Sequence, residues 1–146
     1  MLSISKANPN QLVFEVKESA AMAEVDATLR FIRQLKEIGC RFALDDFGGA
    51  FSSFYYLKRF DVDYLKIDGN LIRELADESN QAFVTALNEI ARSMRKQVIA
   101  ESVESAEVLR LLLETGAQYG QGYLFQQPMP LAPQVGSEPS TDAMTA

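Results

Sequence analysis

Residues 41–68 read RFALDDFGGAFSSFYYLKRFDVDYLKID. Phe42 to Leu44 is a short apolar run that ends in the pair Asp45-Asp46. The glycine- and serine-rich stretch Gly48-Gly49-Ala50-Phe51-Ser52-Ser53 then turns the chain into a short helix carrying Phe54, Leu57 and Lys58. Tyr64 to Ile67 is a second apolar run, and it ends in Asp68. Two short apolar runs joined through a helix predict a βαβ unit. Parallel strands need such a crossover, and the twist of the strands sets its right hand.

The alternation continues on both sides of this unit. Upstream, Leu12 to Val16 reads as a strand and Val25 to Ile38 as a helix, with Leu29, Ile32, Leu35 and Ile38 recurring on one face. Gly39 stands where a helix-ending glycine belongs. Downstream, a helix from Asn80 to Met94 carries Phe83, Leu87, Ile90 and Met94 as its buried stripe. A strand at Val98 to Ala100, a helix at Val108 to Leu113 and a strand at Tyr119 to Phe125 follow. No internal repeat is present. The pattern predicts an α/β fold of about five parallel strands alternating with helices, apolar enough to be covered on both faces. Past Pro128, Leu131 to Ala146 is rich in Pro, Gly, Ser, Thr and Ala without periodicity. The expectation is one folded unit over residues 1–130 and a flexible tail over 131–146.

Composition narrows the chemistry. The 146 residues hold 20 acidic and 14 basic side chains, a net charge of −6, no histidine and one cysteine. Without His there is neither a Ser-His-Asp nor a Cys-His nucleophile system, and a single Cys makes neither a disulfide framework nor a thiolate zinc site. The acidic balance, with no long basic block, speaks against a nucleic acid polymer as partner. No apolar run reaches the length of a membrane span, and Met1 to Asn10 lacks a signal peptide's apolar core, so a cytoplasmic domain is expected. Any metal must be held by oxygen.

The acids fall at the ends of the predicted strands. Glu15 closes the first run, Asp45-Asp46 the second, Asp68 the third and Glu101 the fourth, with Glu104 three residues later. Lys66 lies inside the third run between Leu65 and Ile67, which predicts its burial, and Gln121 lies inside the fifth. In parallel α/β sheets every strand end points to one side, where chemistry is carried. Carboxylates gathered there repel one another unless a cation joins them, and Mg²⁺, Mn²⁺ or Ca²⁺ are the hard ions that oxygen ligands suit. A lysine beside such a site suits phosphoryl-ester hydrolysis. Each acid alone reads better as a helix cap or dipole partner, and Glu24, Asp26 and Cys40 read as structural. Adjacent strand residues point to opposite faces, so Asp45 and Asp46 reach one ion only where the strand is ending. The coincidence across four strands favours a metal-dependent enzyme.

On these residues the chain resembles the EAL domain family of cyclic di-GMP phosphodiesterases. Phe14-Glu15-Val16-Lys17-Glu18 is similar to the family's E-I-T-E strand, and Leu44-Asp45-Asp46-Phe47-Gly48 with Ser52-Ser53 to its DDFG loop. Tyr56-Leu57-Lys58, Leu65-Lys66-Ile67-Asp68, Ala100-Glu101-Ser102-Val103-Glu104 and Gln121-Gly122-Tyr123-Leu124-Phe125 resemble its Y-L-K, K-I-D, A-E-G-V-E and Q-G-Y elements. The resemblance implies a TIM-type (β/α) barrel, here partial, that cleaves cyclic di-GMP to linear pGpG at a two-metal Mg²⁺ or Mn²⁺ site by a metal-activated water. Glu15 and Asp45 are implied as ligands of one metal, and Asp45 as a bridge to a second held by Asp46 and Glu101. Lys66 is implied to orient the attacking water and Asp68 to hold the lysine. Glu104 and Gln121 are implied to complete the water network. Phe125 and Pro128 are implied against a guanine base. Glu18 is implied to anchor the loop after Asp46, which in the family couples metal binding to dimerisation.

Lys17 stands where the family has threonine, Gly49-Ala50 where it has Thr-Gly, and Ser102 where it has glycine. The family's Glu-Ala-Leu strand and an asparagine ligand have no counterpart in the sequence. A (β/α)₈ barrel takes about 250 residues. This chain alone is therefore expected to be inactive, and to assemble with a second copy or with a complementary half-barrel. The alternative is a non-catalytic EAL module acting in cyclic di-GMP binding or protein interaction.

Overall fold

The computed structural model describes residues 8–49 and 54–129. The expected tail and the loop positions Ala50, Ser52 and Ser53 lie outside them. After a 3₁₀ turn at Pro9–Gln11 come β1 (Val13–Lys17), α1 (Glu18–Ala23), α2 (Val25–Glu37), β2 (Arg41–Phe47), α3 (Phe54–Leu57) and β3 (Tyr64–Ile67). Then come α4 (Gly69–Arg73), α5 (Glu78–Ser93), β4 (Gln97–Ala100), α6 (Ala106–Thr115) and β5 (Tyr119–Gly120). The five strands pair in sequence order, all parallel, with Val16 opposite Leu44, Leu65 opposite Val98 and Ile99 opposite Tyr119. Every strand therefore presents its C-terminal end to the same side, as the alternation predicts.

Apolar burial holds the layers together. Phe42, Leu44, Leu65, Ile67 and Val98 on the strands are at most 2% exposed, and Ile32, Ile72, Val84 and Leu87 close over them from the helices. Phe14, Phe31 and Phe42 form one aromatic cluster, with ring centroids 5.7–6.4 Å apart, that pins α2 to β1 and β2. Such pairs add about 0.5–1.5 kcal/mol each beyond the area they bury.

Four local features depart from the sequence reading. The stripe of α2 ends at Leu35, because Ile38 follows the helix as its C-cap and is 48% exposed. On α5 the buried face is Val84, Leu87, Asn88 and Ala91; of the expected stripe Leu87 lies on it, Ile90 and Met94 pack at its margin and Phe83 is exposed. A buried polar residue hid that face: Asn88 Nδ2 donates to the Thr115 carbonyl at 3.1 Å, tying α5 to the end of α6. The helices α1 and α4, six and five residues long, are too short to show a period. β5 stops at Gly120, because the following backbone turns back onto the loop after β4, with Leu124 N–H donating to the Val103 carbonyl at 3.0 Å.

Two glycines are required by the backbone. Gly39 ends α2 at φ +95°, its N–H donating to the Lys36 carbonyl at 2.9 Å, as its position predicts. Gly48 turns the chain after β2 at φ +91°, and a Cβ there would lie 3.0 Å from Leu87 Cδ1 and 3.1 Å from Leu71 Cδ1. Gly48→Ala is expected to lower stability by about 2 kcal/mol, from left-handed strain and crowding together. The urea midpoint should fall at unchanged slope; an unchanged midpoint would show that the turn relaxes freely.

Candidate metal centre

Glu15 comes from β1, Asp45 and Asp46 from β2, Lys66 from β3, and Glu101 follows the last residue of β4. The four elements lie side by side, so their ends bring these side chains to one mouth. Lys66, 3% exposed, is the centre of the cluster. Its Nζ lies 2.6 Å from Glu101 Oε1, 2.8 Å from Glu15 Oε2 and 3.4 Å from Asp45 Oδ1. Burial alone would depress this ammonium, but hydrogen bonds to Glu101 and Glu15 outweigh it and hold Lys66 well above the ordinary lysine range. Lys96, half-buried at the other end of the sheet, shows the contrast. It donates to the Phe60 and Val62 carbonyls at 3.0 and 2.8 Å, and burial pushes it down.

Asp45 and Asp46 reach the mouth together, and not because the strand is ending. β2 runs on to Phe47, but its register against β3 shifts between Leu44 and Phe47, and Asp46 takes a left-handed φ of +59°. The irregularity undoes the alternation that would send one carboxylate to each face. One oxygen from each of Asp45, Asp46 and Glu101 then lies within 4.8 Å of the others. Asp45 Oδ1 is buried and accepts no hydrogen bond. Its compensation is the Lys66 ammonium at ion-pair distance.

Asp46 Oδ2 accepts a hydrogen bond from Lys17 Nζ at 2.8 Å. That contact holds the Lys17 ammonium above its ordinary range. Four carboxylates thus face two ammonium groups, which leaves an excess of two negative charges at the mouth. A divalent cation on oxygen ligands matches that excess, and the orphaned Asp45 oxygen is a ready ligand atom. The residues fit such an ion.

The remaining candidates surround this centre. Glu18, buried at the start of α1, and Asp68 line a cleft of about 710 Å³ together with Asp46 and Glu101. Asp68 caps α4, its Oδ1 accepting the Asn70 N–H at 2.8 Å, while the carboxylates paired with Lys66 are Glu15, Asp45 and Glu101. Glu104 and Gln121 share a smaller hollow of about 270 Å³ with Glu101 and Ser102, two residues that also line the larger cleft. Gln121 bonds through its backbone as well, donating to the Ala100 carbonyl at 2.8 Å and accepting from Val103 N–H at 3.0 Å. Phe125 and Pro128 are exposed on the segment after β5.

Sequence reasoning passed over the ion pairing of Lys17 and the anchoring of Arg73. Arg73 donates to Ser102 Oγ and Asn70 Oδ1, both at 2.7 Å, at the wall of the cleft. Lys17 carried a signal: it lies two residues after Glu15, on the same side of a pleated strand. Arg73 carried none, because its partner Ser102 is 29 residues away. Ser102 itself takes a left-handed φ of +55°, a conformation that favours the glycine the resemblance places there.

Comparison with known proteins agrees with this arrangement. The EAL domain family matches residues 1–128. The cyclic di-GMP phosphodiesterase PdeB of Shewanella oneidensis is 40% identical over 126 residues, which cover 85% of this chain and 15% of that protein. The PaMucR phosphodiesterase, solved as a c-di-GMP complex, superposes with a TM-score of 0.82 at 38% identity, over 89% of this chain and 53% of that one. BlrP1 of Klebsiella pneumoniae, solved as a manganese/cy-diGMP complex, superposes with a TM-score of 0.81 at 30% identity, over 87% of this chain and 33% of that one. The chain thus spans a small part of the curated relative and about half of the PaMucR chain. Its five parallel strands form part of a TIM-type barrel, and the chain belongs to the EAL domain family.

Proposed function

We propose that this chain is the C-terminal part of a cyclic di-GMP phosphodiesterase domain, which adds water across one phosphodiester bond to release linear pGpG. The convergence of Glu15, Asp45, Asp46 and Glu101 on the buried Lys66 carries the proposal. Family membership and the c-di-GMP complexes of PaMucR and BlrP1 support it. Asp45, Asp46 and Glu101, with Glu15 beside them, are the residues that would hold Mg²⁺ or Mn²⁺. A divalent ion bound there supplies Lewis-acid polarisation of a phosphoryl oxygen and acidification of water.

The protein's own groups do the rest. Held above its ordinary range, Lys66 stays an ammonium at neutral pH, so it donates hydrogen bonds and positive charge and does not accept a proton. It orients a water and balances the carboxylates. Glu104 and Gln121, in the hollow that adjoins Glu101, complete the water network, and Asp68 and Glu18 hold the walls of the cleft. Phe125 and Pro128 offer apolar faces to a guanine.

A (β/α)₈ barrel closes eight strands, and the described residues supply five, with β1 and β5 as open edges. Open edges favour pairing, and Val13 and Tyr119 on them are 46% and 47% exposed. The proposal therefore includes a second copy or a complementary half-barrel as partner. No helix among the described residues is long and apolar enough to cross a membrane, and the setting proposed is the cytoplasm, where nucleotide substrates and magnesium meet.

The test follows pGpG release with Mg²⁺ or Mn²⁺, with light scattering to fix the oligomeric state. The chain as a monomer should be inert. The chain fused to the upstream half of the PaMucR domain should turn over, and Lys66→Ala should abolish that turnover. A folded, metal-loaded fusion that binds cyclic di-GMP without cleaving it would favour the non-catalytic module.

A further inference from the structure

One cation is already seated on the candidate metal centre, and it belongs to the chain. Lys17 closes β1 opposite Asp45, and its Nζ donates to Asp46 Oδ2 at 2.8 Å. Asp46 is one of the three acids whose oxygens gather within 4.8 Å. We infer that Lys17 is an internal competitor for that site: a divalent ion held by Asp45, Asp46 and Glu101 competes with the Lys17 ammonium for the Asp46 carboxylate, so this one residue tunes the metal affinity of the mouth. The inference rests on the metal reading above.

The two lysines of the mouth differ in the property that matters. The Lys66 side chain is 4% exposed and bonded on several sides, so it stays where it is when an ion arrives. The Lys17 side chain is 65% exposed and its partner Asp46 46% exposed. Exposed pairs are weak, are screened by salt and exchange readily with solvent, so Lys17 can swing out. While it stays, it occupies one of the two Asp46 oxygens and adds a positive charge beside the three acids. Asp45 and Glu101 also act on its charge, so the whole acidic set feels its presence. A threonine at this position, the residue the family resemblance places there, would remove both effects.

The experiment titrates the full chain with Mn²⁺ by calorimetry at low salt, comparing the parent with Lys17→Thr, Lys17→Met and Lys17→Arg. Circular dichroism confirms that each variant is folded. Lys17→Thr and Lys17→Met should bind Mn²⁺ about three- to tenfold more tightly, from the lost pair and the lost repulsion together. Lys17→Arg, which keeps the charge, should stay close to the parent. The gap between parent and Lys17→Thr should narrow as salt is raised. Equal affinities in parent, Lys17→Thr and Lys17→Met, with uptake still abolished by Asp45→Asn, would overturn the role of Lys17 and leave the metal centre standing. Failure of every folded variant to take up Mn²⁺ would overturn both.

Discussion

Asp45→Asn is expected to weaken Mn²⁺ binding by more than about a hundredfold, beyond the roughly 10–100-fold that loss of an outer-sphere partner costs. Asp45 is the acid whose buried Oδ1 accepts no hydrogen bond, and it lies between Asp46 on its own strand and Lys66 on the next. In the two-ion reading it is also the ligand both ions share, so its loss should exceed that of Asp46→Asn or Glu101→Gln. The change removes a charge and hardly alters shape. The fold should survive, because the lost carboxylate was only partly compensated in the absence of an ion. Calorimetric titration with Mn²⁺, with urea unfolding as the control for folding, decides the matter. Equal affinity in variant and parent would remove the two-ion assignment.

Lys66→Met should act most strongly on stability. The substitution keeps an apolar chain of similar length at a position only 3% exposed, but it takes the counter-charge from Glu15, Asp45 and Glu101. Breaking a fully buried pair costs about 3–5 kcal/mol; half-exposed Glu15 can rehydrate, so a loss of about 2–3 kcal/mol is expected. Added Mn²⁺ should restore part of it, because a ligand that binds only the folded state stabilises by mass action.

The pH dependence gives a second check. The folded value of Lys66 lies above the ordinary 10.5, so its contribution is fully present below that pH. It fades as pH rises from there through the folded value. The urea midpoint of the parent should therefore fall above about pH 10.5, and the gap to Lys66→Met should close there. A gap that stays constant into strong alkali would mean that Lys66 is not held by these carboxylates.

Much of this was legible along the chain. Strand–helix alternation sets the parallel sheet, because short apolar runs separated by helices can pair only through crossovers. Acids at successive strand ends announce a mouth for the same reason: all C-terminal ends of a parallel sheet share one side. Leu65 and Ile67 flanking Lys66 foretell its burial, and Gly39 marks the end of its helix. These are properties of neighbours in sequence.

The rest is decided between segments distant in sequence. Lys17 and Asp46, 29 residues apart, meet because β1 pairs with β2 in a register that sets Lys17 opposite Asp45. Asp46 turns to the same mouth as Asp45 only through the register shift against β3, which no composition around Asp46 reveals. The buried face of α5 is fixed by Asn88 finding Thr115 on α6, a polar contact that an apolar period cannot show. Local periodicity states which way a side chain leans from its own backbone. Which charges it meets depends on strand register and helix rotation, and those are settled by packing the whole sheet at once.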